Sequence, residues 1–223
     1  MSRGQLGVVP SIGPLTAPRW QRLARHGFRP AESPAEACDL CGEPLGEPHR
    51  HVLDLDADEL ACACRACAVL FDRDAAGGHR YRLVPERRLP VAGLDMDDGG
   101  WQALGLPVGL AFFVRSSRAD AVVVRYPSPA GTTAAEIDGA VWQRLTTRAP
   151  MLDQVAPDVE ALLVNRLRGQ REHWVVPLDD CYRLVAAVRA HWVGFTGGDT
   201  AWAAIDELFA GLRRRTREVV VHG

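Results

Sequence analysis

The sequence predicts an α+β protein: a small cysteine-bearing module, then a mixed α/β domain with mainly antiparallel strands and two C-terminal helices. Three observations predict it. Two Cys-x-x-Cys pairs fall within residues 38–67. Beyond them, two pairs of short β-branched and aromatic runs are each joined by a turn. The chain then closes with two stretches whose apolar residues recur at helical spacing. With 223 residues, 47% hydrophobic and 24% charged, the chain has the length and composition of one or two ordinary globular domains.

The elements follow in order. Residues 1–36 carry Pro10, Pro14, Pro18, Pro30 and Pro34 and read as an irregular arm, with one or two helical turns at WQRLARHGF (20–28). Residues 37–88 form the cysteine module, which Tyr81 to Val84 close as a strand. The larger domain spans residues 91–215, with a tail at 216–223. In it, LPVGLAFFVRS and ADAVVVRYPS read as a hairpin turning at residues 116–119. Thr133 and Glu136 stand at capping-box spacing, and Ile137, Val141, Leu145 and Arg148 continue it, so a helix is expected over residues 134–148, stopped by Pro150. PDVEALLVNRL and REHWVVP predict a second hairpin through Arg168, Gly169 and Gln170. The first closing helix carries the stripe Cys181, Leu184, Val185, Val188 and Trp192, with Asp179 and Asp180 in its first turn, where the dipole favours negative charge. The second carries Trp202, Ile205, Phe209 and Leu212. Trp101 and Trp174 fit no stripe and read as candidates for an exposed interface.

Composition excludes several classes. All 26 basic side chains are arginine, so no lysine is present for a phosphate loop, a Schiff base or a general base. A formal net charge of −2 argues against broad nucleic-acid binding. The longest apolar run, residues 106–114, is interrupted by Pro107 and falls short of the roughly 20 residues of a membrane helix. The first residues lack the apolar core of a secretory signal. A cytoplasmic location is therefore expected, where clustered cysteines serve as metal ligands rather than disulfides.

The motif that carries chemistry is the cysteine block. CDLCG (38–42) has the form of a zinc knuckle: a tight turn aims two sulfurs at one point, and the trailing Gly42 lets the chain bend away. Cys64 and Cys67 repeat the spacing in CRAC, but Ala68 stands where a second glycine is usual. Residues 42–63 between the pairs leave room for a hairpin, and ACAVLFDR continues as a short helix. Four thiolates at such spacing suit Zn²⁺, which takes tetrahedral sulfur ligands. The expected ligands are Cys38, Cys41, Cys64 and Cys67, on a zinc-ribbon or treble-clef-like module. Arg50 and Arg65 are available to offset the surplus negative charge. An iron site of rubredoxin type is the alternative metal.

Other residues compete for roles. Cys62 shares strand parity with Cys64 and is a rival ligand. His49 and His51 alternate on one face and are further substitutes. A treble clef with these histidines invites an HNH-nuclease reading, but the helix after Cys67 has no ligand where one is needed, and His79 falls late, in a glycine turn. YPSPAGTT (126–133) reads as a strand-to-helix turn, a place where anions bind. Cys181, on an apolar helix face, reads as a core thiol.

Several phrases together (CDLCGEPL, HRHVLDLD, LACACRACAVLF, GLAFFVRSS, YPSPAGTT, PDVEALLVNR and VPLDDCYRLVAAVRAHWVGFTGG) resemble an uncharacterised family encoded beside [NiFe]-hydrogenase genes in aerobic high-GC bacteria. The resemblance spans about residues 36–212. It implies a context rather than an activity: accessory or assembly work with hydrogenase subunits or maturation factors. Three functions are thus expected in competition. The first is a non-enzymatic accessory protein with a structural zinc site, the second a metal-handling or redox protein using the Cys-rich cluster, to which Cys62 adds an extra thiol, and the third an HNH-like nuclease.

Overall fold

The structure is a computed structural model and describes residues 36–71, 80–94, 96–128, 131–193 and 198–221. The helical turns expected at 20–28, the arm around them and His79 lie outside these residues.

The chain forms two antiparallel sheets. In the smaller, β1 (Arg50–Asp54) pairs with β2 (Glu59–Ala63) on one side and β3 (Tyr81–Leu83) on the other. The short helix α1 (Arg65–Leu70) follows β2 directly. The larger sheet contains β4 (Leu89–Pro90), β5 (Leu110–Ser116), β6 (Ala121–Ser128), β7 (Gly131–Ile137), β8 (Glu160–Asn165) and β9 (Glu172–Pro177), in the order β4-β9-β8-β5-β6-β7. Helices α2 (Asp98–Ala103), α3 (Gly139–Arg148), α4 (Leu178–His191) and α5 (Gly198–Val221) complete the fold. Helix α5 thus continues to residue 221, through most of the segment read as a tail. No helix among the described residues is long and apolar enough to cross a membrane.

Both predicted hairpins form. Ser116 pairs with Ala121 across β5 and β6. Asn165 pairs with Glu172 across β8 and β9, through a turn in which Arg168 and Gly169 take positive φ. The period-2 alternation of side chains sorts the central strands onto two cores. On one face, Leu110, Phe112 and Val114 of β5 join Ala161, Leu163, Trp174 and Val176 under α4 and α5. On the other, Ala111 and Phe113 join Val122, Val124, Leu162 and Val164 under Trp101, Trp142, Leu145 and Leu152. Strand β8 is buried along its whole length, as a strand covered on both faces must be. Trp101 and Trp174 are core residues, buried in these two clusters, and do not form an exposed interface.

One element departs from expectation. Residues 131–137 form a strand, not the start of a helix. They pair with β6 in continuous register, from Val122↔Ile137 to Ser128↔Gly131. The capping-box spacing of Thr133 and Glu136 is accidental, because strand pairing with β6 claims both residues. Helix α3 begins at Gly139, and its cap is Asp138, whose side chain accepts from Ala140 N–H at 2.8 Å. Within the YPSPAGTT stretch, residues 126–128 and 131–133 are therefore paired strand rather than the approach to a helix, so the anion-binding reading has no helix terminus to rest on.

The small sheet docks on the large domain. Leu53, Leu60 and Val84 enter the same buried cluster as β5, β8, β9 and α4. Arginines fasten the seam. Arg82 meets Asp158 at 2.6 Å, Arg87 grips Glu160 through two 2.6 Å bonds, and Arg88 grips Asp180 at 2.5 and 2.9 Å. Arg125 reaches Asp58 in the β1–β2 turn at 2.9 Å and donates to the Tyr182 hydroxyl. The forked guanidinium matches each carboxylate in a way a lysine would not.

Candidate metal centre

Two backbone features aim the first pair of sulfurs. Gly42 N–H donates to the Cys38 carbonyl at 2.8 Å and Cys38 N–H to the Glu43 carbonyl at 2.8 Å, closing the knuckle. Gly42 holds φ +78°, a conformation that costs glycine nothing. The knuckle is tied to β2 by two bonds between the same residues: Asp39 N–H to the Cys62 carbonyl at 2.9 Å, and Cys62 N–H to the Asp39 carboxylate at 2.8 Å. The second pair is aimed by α1. Cys64 is its N-cap, and its sulfur accepts from Cys67 N–H at 3.4 Å.

The result brings together the sulfurs of Cys38, Cys41, Cys64 and Cys67, all within 4.8 Å of one another. Cys41 and Cys64 stand 3.7 Å apart, and all four are free thiols. A tetrahedral ion with metal–sulfur bonds of about 2.3 Å needs S···S edges of about 3.8 Å. The four cysteines therefore fit a metal ion, and all four are unbridged, the Cys41–Cys64 separation being well beyond an S–S bond of about 2.0 Å.

Their titration shows the same strain of crowding. Burial pushes the Cys38 thiol up, but backbone N–H groups of Cys64, Leu40 and Cys41 outweigh it and bring it down to about 7. Burial, with the neighbouring sulfurs of Cys41, Cys64 and Cys38, pushes Cys67 up to about 12. The Glu43 N–H favours the Cys41 thiolate, yet the Cys38 and Cys64 sulfurs leave it raised. Four thiolates this close would repel one another, and a bound cation is what such a ligand set would need to offset their charge.

The rival ligands lie elsewhere. Cys62 points away from the four sulfurs. Ala61, Ala63 and Val52 face Cys38 and Cys67, whereas Cys62 shares the opposite face of the sheet with Leu60. Cys64 does not share that parity because it has left the strand to cap α1. His49 and His51 sit with Cys62, not with the four cysteines. Arg50 is engaged by the Val84 carbonyl at 3.2 Å and by Glu86 at 3.4 Å. Cys181 is wholly buried, and burial raises its thiol well above the ordinary value, as expected of a core thiol.

Sequence reasoning missed Asp179. It occupies the first turn of α4, as expected, but it is buried and lies 3.1 Å from His51 Nδ1. Burial disfavours its charge, yet His51, Arg183 and Arg88 together hold its carboxyl below the usual range. The only signal was the apolar context of the Asp179–Asp180 pair, which suits a buried, partnered carboxylate better than a solvated one.

The fold and the site define an α+β protein in which four cysteines beside the small sheet lie within metal-binding distance of one another. The chain belongs to DUF5947, a family of unknown function, whose sequence model matches residues 37–216. No curated protein and no solved structure matches it.

Proposed function

We propose that Cys38, Cys41, Cys64 and Cys67 hold one Zn²⁺ as a structural site, on a treble-clef-like module that serves a non-enzymatic accessory or assembly protein. The observation that carries this reading is the closed set of four sulfurs, which leaves no ligand position for substrate. The order of knuckle, hairpin, second cysteine pair and helix supports the treble-clef reading. Zinc suits the site because a d¹⁰ ion accepts tetrahedral thiolates and has no redox chemistry to disturb. The partner setting, a [NiFe]-hydrogenase system in the cytoplasm, rests on the sequence resemblance alone.

Two experiments test it. Elemental analysis of the purified protein, with single Cys→Ser changes at 38, 41, 64 and 67, is expected to show zinc in the wild type and loss of at least the four-cysteine ion in each variant. Iron in place of zinc would replace the structural reading with a redox one. Affinity capture from cells expressing the hydrogenase is expected to recover its subunits or maturation factors. Recovery of none, with hydrogenase activity unchanged in a deletion strain, would contradict the partner assignment.

A metal-handling role is the second reading, favoured by the separate grouping of His49, His51 and Cys62.

A further inference from the structure

The second grouping lies on the face of the small sheet opposite the four cysteines. His51 and Cys62 are direct cross-strand partners in the β1–β2 ladder, so their side chains leave the sheet side by side. His49 precedes His51 by two residues, and the two rings lie 5.0 Å apart, tilted by 57°. One ligand atom from each of His49, His51 and Cys62 falls within 4.8 Å of the other two. This face is the one that docks on the large domain, since Leu53 and Leu60 project from it into the shared core.

The domain supplies what such a trio needs. Asp179, from the first turn of α4, takes His51 Nδ1 at 3.1 Å, and both side chains are more than nine-tenths buried. That contact fixes the tautomer: Nδ1 carries the proton toward the carboxylate, and Nε2 presents its lone pair. His51 Nε2 is buried and finds no hydrogen-bond partner among the described residues. A buried imidazole nitrogen with an exposed lone pair costs free energy unless something accepts it. The carboxylate–histidine pairing is the arrangement that metal-ligating histidines ordinarily use.

We propose that His49, His51 and Cys62 form a second transition-metal site, at the seam between the small sheet and α4, with Asp179 orienting His51. Two imidazoles and one thiolate suit a zinc-type divalent ion. Three protein ligands leave a fourth position for water or an exogenous donor, unlike the closed four-cysteine set. The ion's charge is balanced by the Cys62 thiolate and by Asp179, itself backed by Arg183 at 3.5 Å. The two sites are mechanically linked, because Asp39, between the first two cysteines, holds the Cys62 backbone by both its N–H and its carbonyl. Binding at the seam ties the module to the domain through β1, β2 and α4 at once.

The test is a Co²⁺ titration of the purified full-length protein after chelation, followed by thiolate-to-cobalt and d–d absorption. The wild type is expected to bind two Co²⁺ per chain with two distinguishable spectra. Cys62→Ser and His51→Ala are each expected to bind one, retaining the four-sulfur spectrum. Asp179→Asn, which preserves shape, is expected to weaken only the second site, by about 10- to 100-fold. It decides the matter if Cys62→Ser or His51→Ala fails to fold. A single Co²⁺ in the wild type, or second-site affinity unchanged by Asp179→Asn, overturns the proposal. Failure of the four-cysteine reading is separately visible: Cys41→Ser would then leave the sulfur-rich spectrum intact.

Discussion

The small sheet and the large domain are built from the same antiparallel strands, yet they hold together by different means. The domain has a core on each face of a six-stranded sheet, filled by Phe112, Phe113, Leu162, Leu163, Tyr182 and Phe209 among others. The fully buried part of the core that the small sheet makes for itself consists of Cys38, Val52, Ala61, Ala63 and Cys67, with Phe71, Tyr81 and Leu83 among the partly buried residues around it. Two of those five are proposed ligands and two are alanines, so the apolar surface it buries alone is slight. The small sheet therefore depends on support from outside itself: the large sheet's core on one face, where Leu53, Leu60 and Val84 enter, and on the other the metal proposed for the four cysteines.

The largest effect is expected from Cys38→Ser or Cys67→Ser. Structural zinc sites supply apparent binding energies of about 10–16 kcal/mol, so either change is expected to unfold the module while the domain remains folded. Circular dichroism with limited proteolysis would show cleavage confined to residues 37–71. Next comes Phe112→Ala, which empties a fully buried site in the domain's core. A loss of about 3–5 kcal/mol is expected in urea unfolding, with the four-cysteine metal retained.

At the seam, Arg87→Ala is expected to cost about 3–5 kcal/mol, because it strands the Glu160 carboxylate, which is wholly buried. Within the small sheet, Arg80→Ala removes a half-exposed partner from Asp54 and is expected to cost far less, because a solvated ion pair contributes little. Equal effects from the two would mean that the seam pairs are solvated and hold nothing. The smallest effect is assigned to Asp138→Ala, which removes the cap of α3 and is expected to cost about 1 kcal/mol, read from the urea midpoint with unchanged slope.

How much of this was legible in the sequence follows from the range of the interactions. Strands β5, β6, β8 and β9 were readable because their β-branched and aromatic runs are bounded by turn residues. The stripes of α4 and α5 were readable because burial follows their spacing through Leu184, Val188, Ile205 and Phe209. The four sulfurs were readable because two local spacings aim them. Strand β7 was misread because a local capping signal at Thr133 and Glu136 lost to pairing with β6, which no single window displays. The seam was invisible for the same reason. Arg82 and Asp158, or Arg87 and Glu160, are more than seventy residues apart, and nothing in the neighbourhood of either names its partner. His51 and Asp179 share that property, so the histidines looked like spare ligands for the four-cysteine site rather than members of another.

On the proposed reading, a metal at the four cysteines sustains the small sheet while the large sheet sustains itself. Hydrogen exchange on the full-length protein, with and without a strong chelator, tests it most directly. Chelation is expected to abolish protection in β1, β2 and α1 while amides of β5, β8 and β9 keep theirs. Unchanged protection in β1 and β2 after the metal is removed would contradict it.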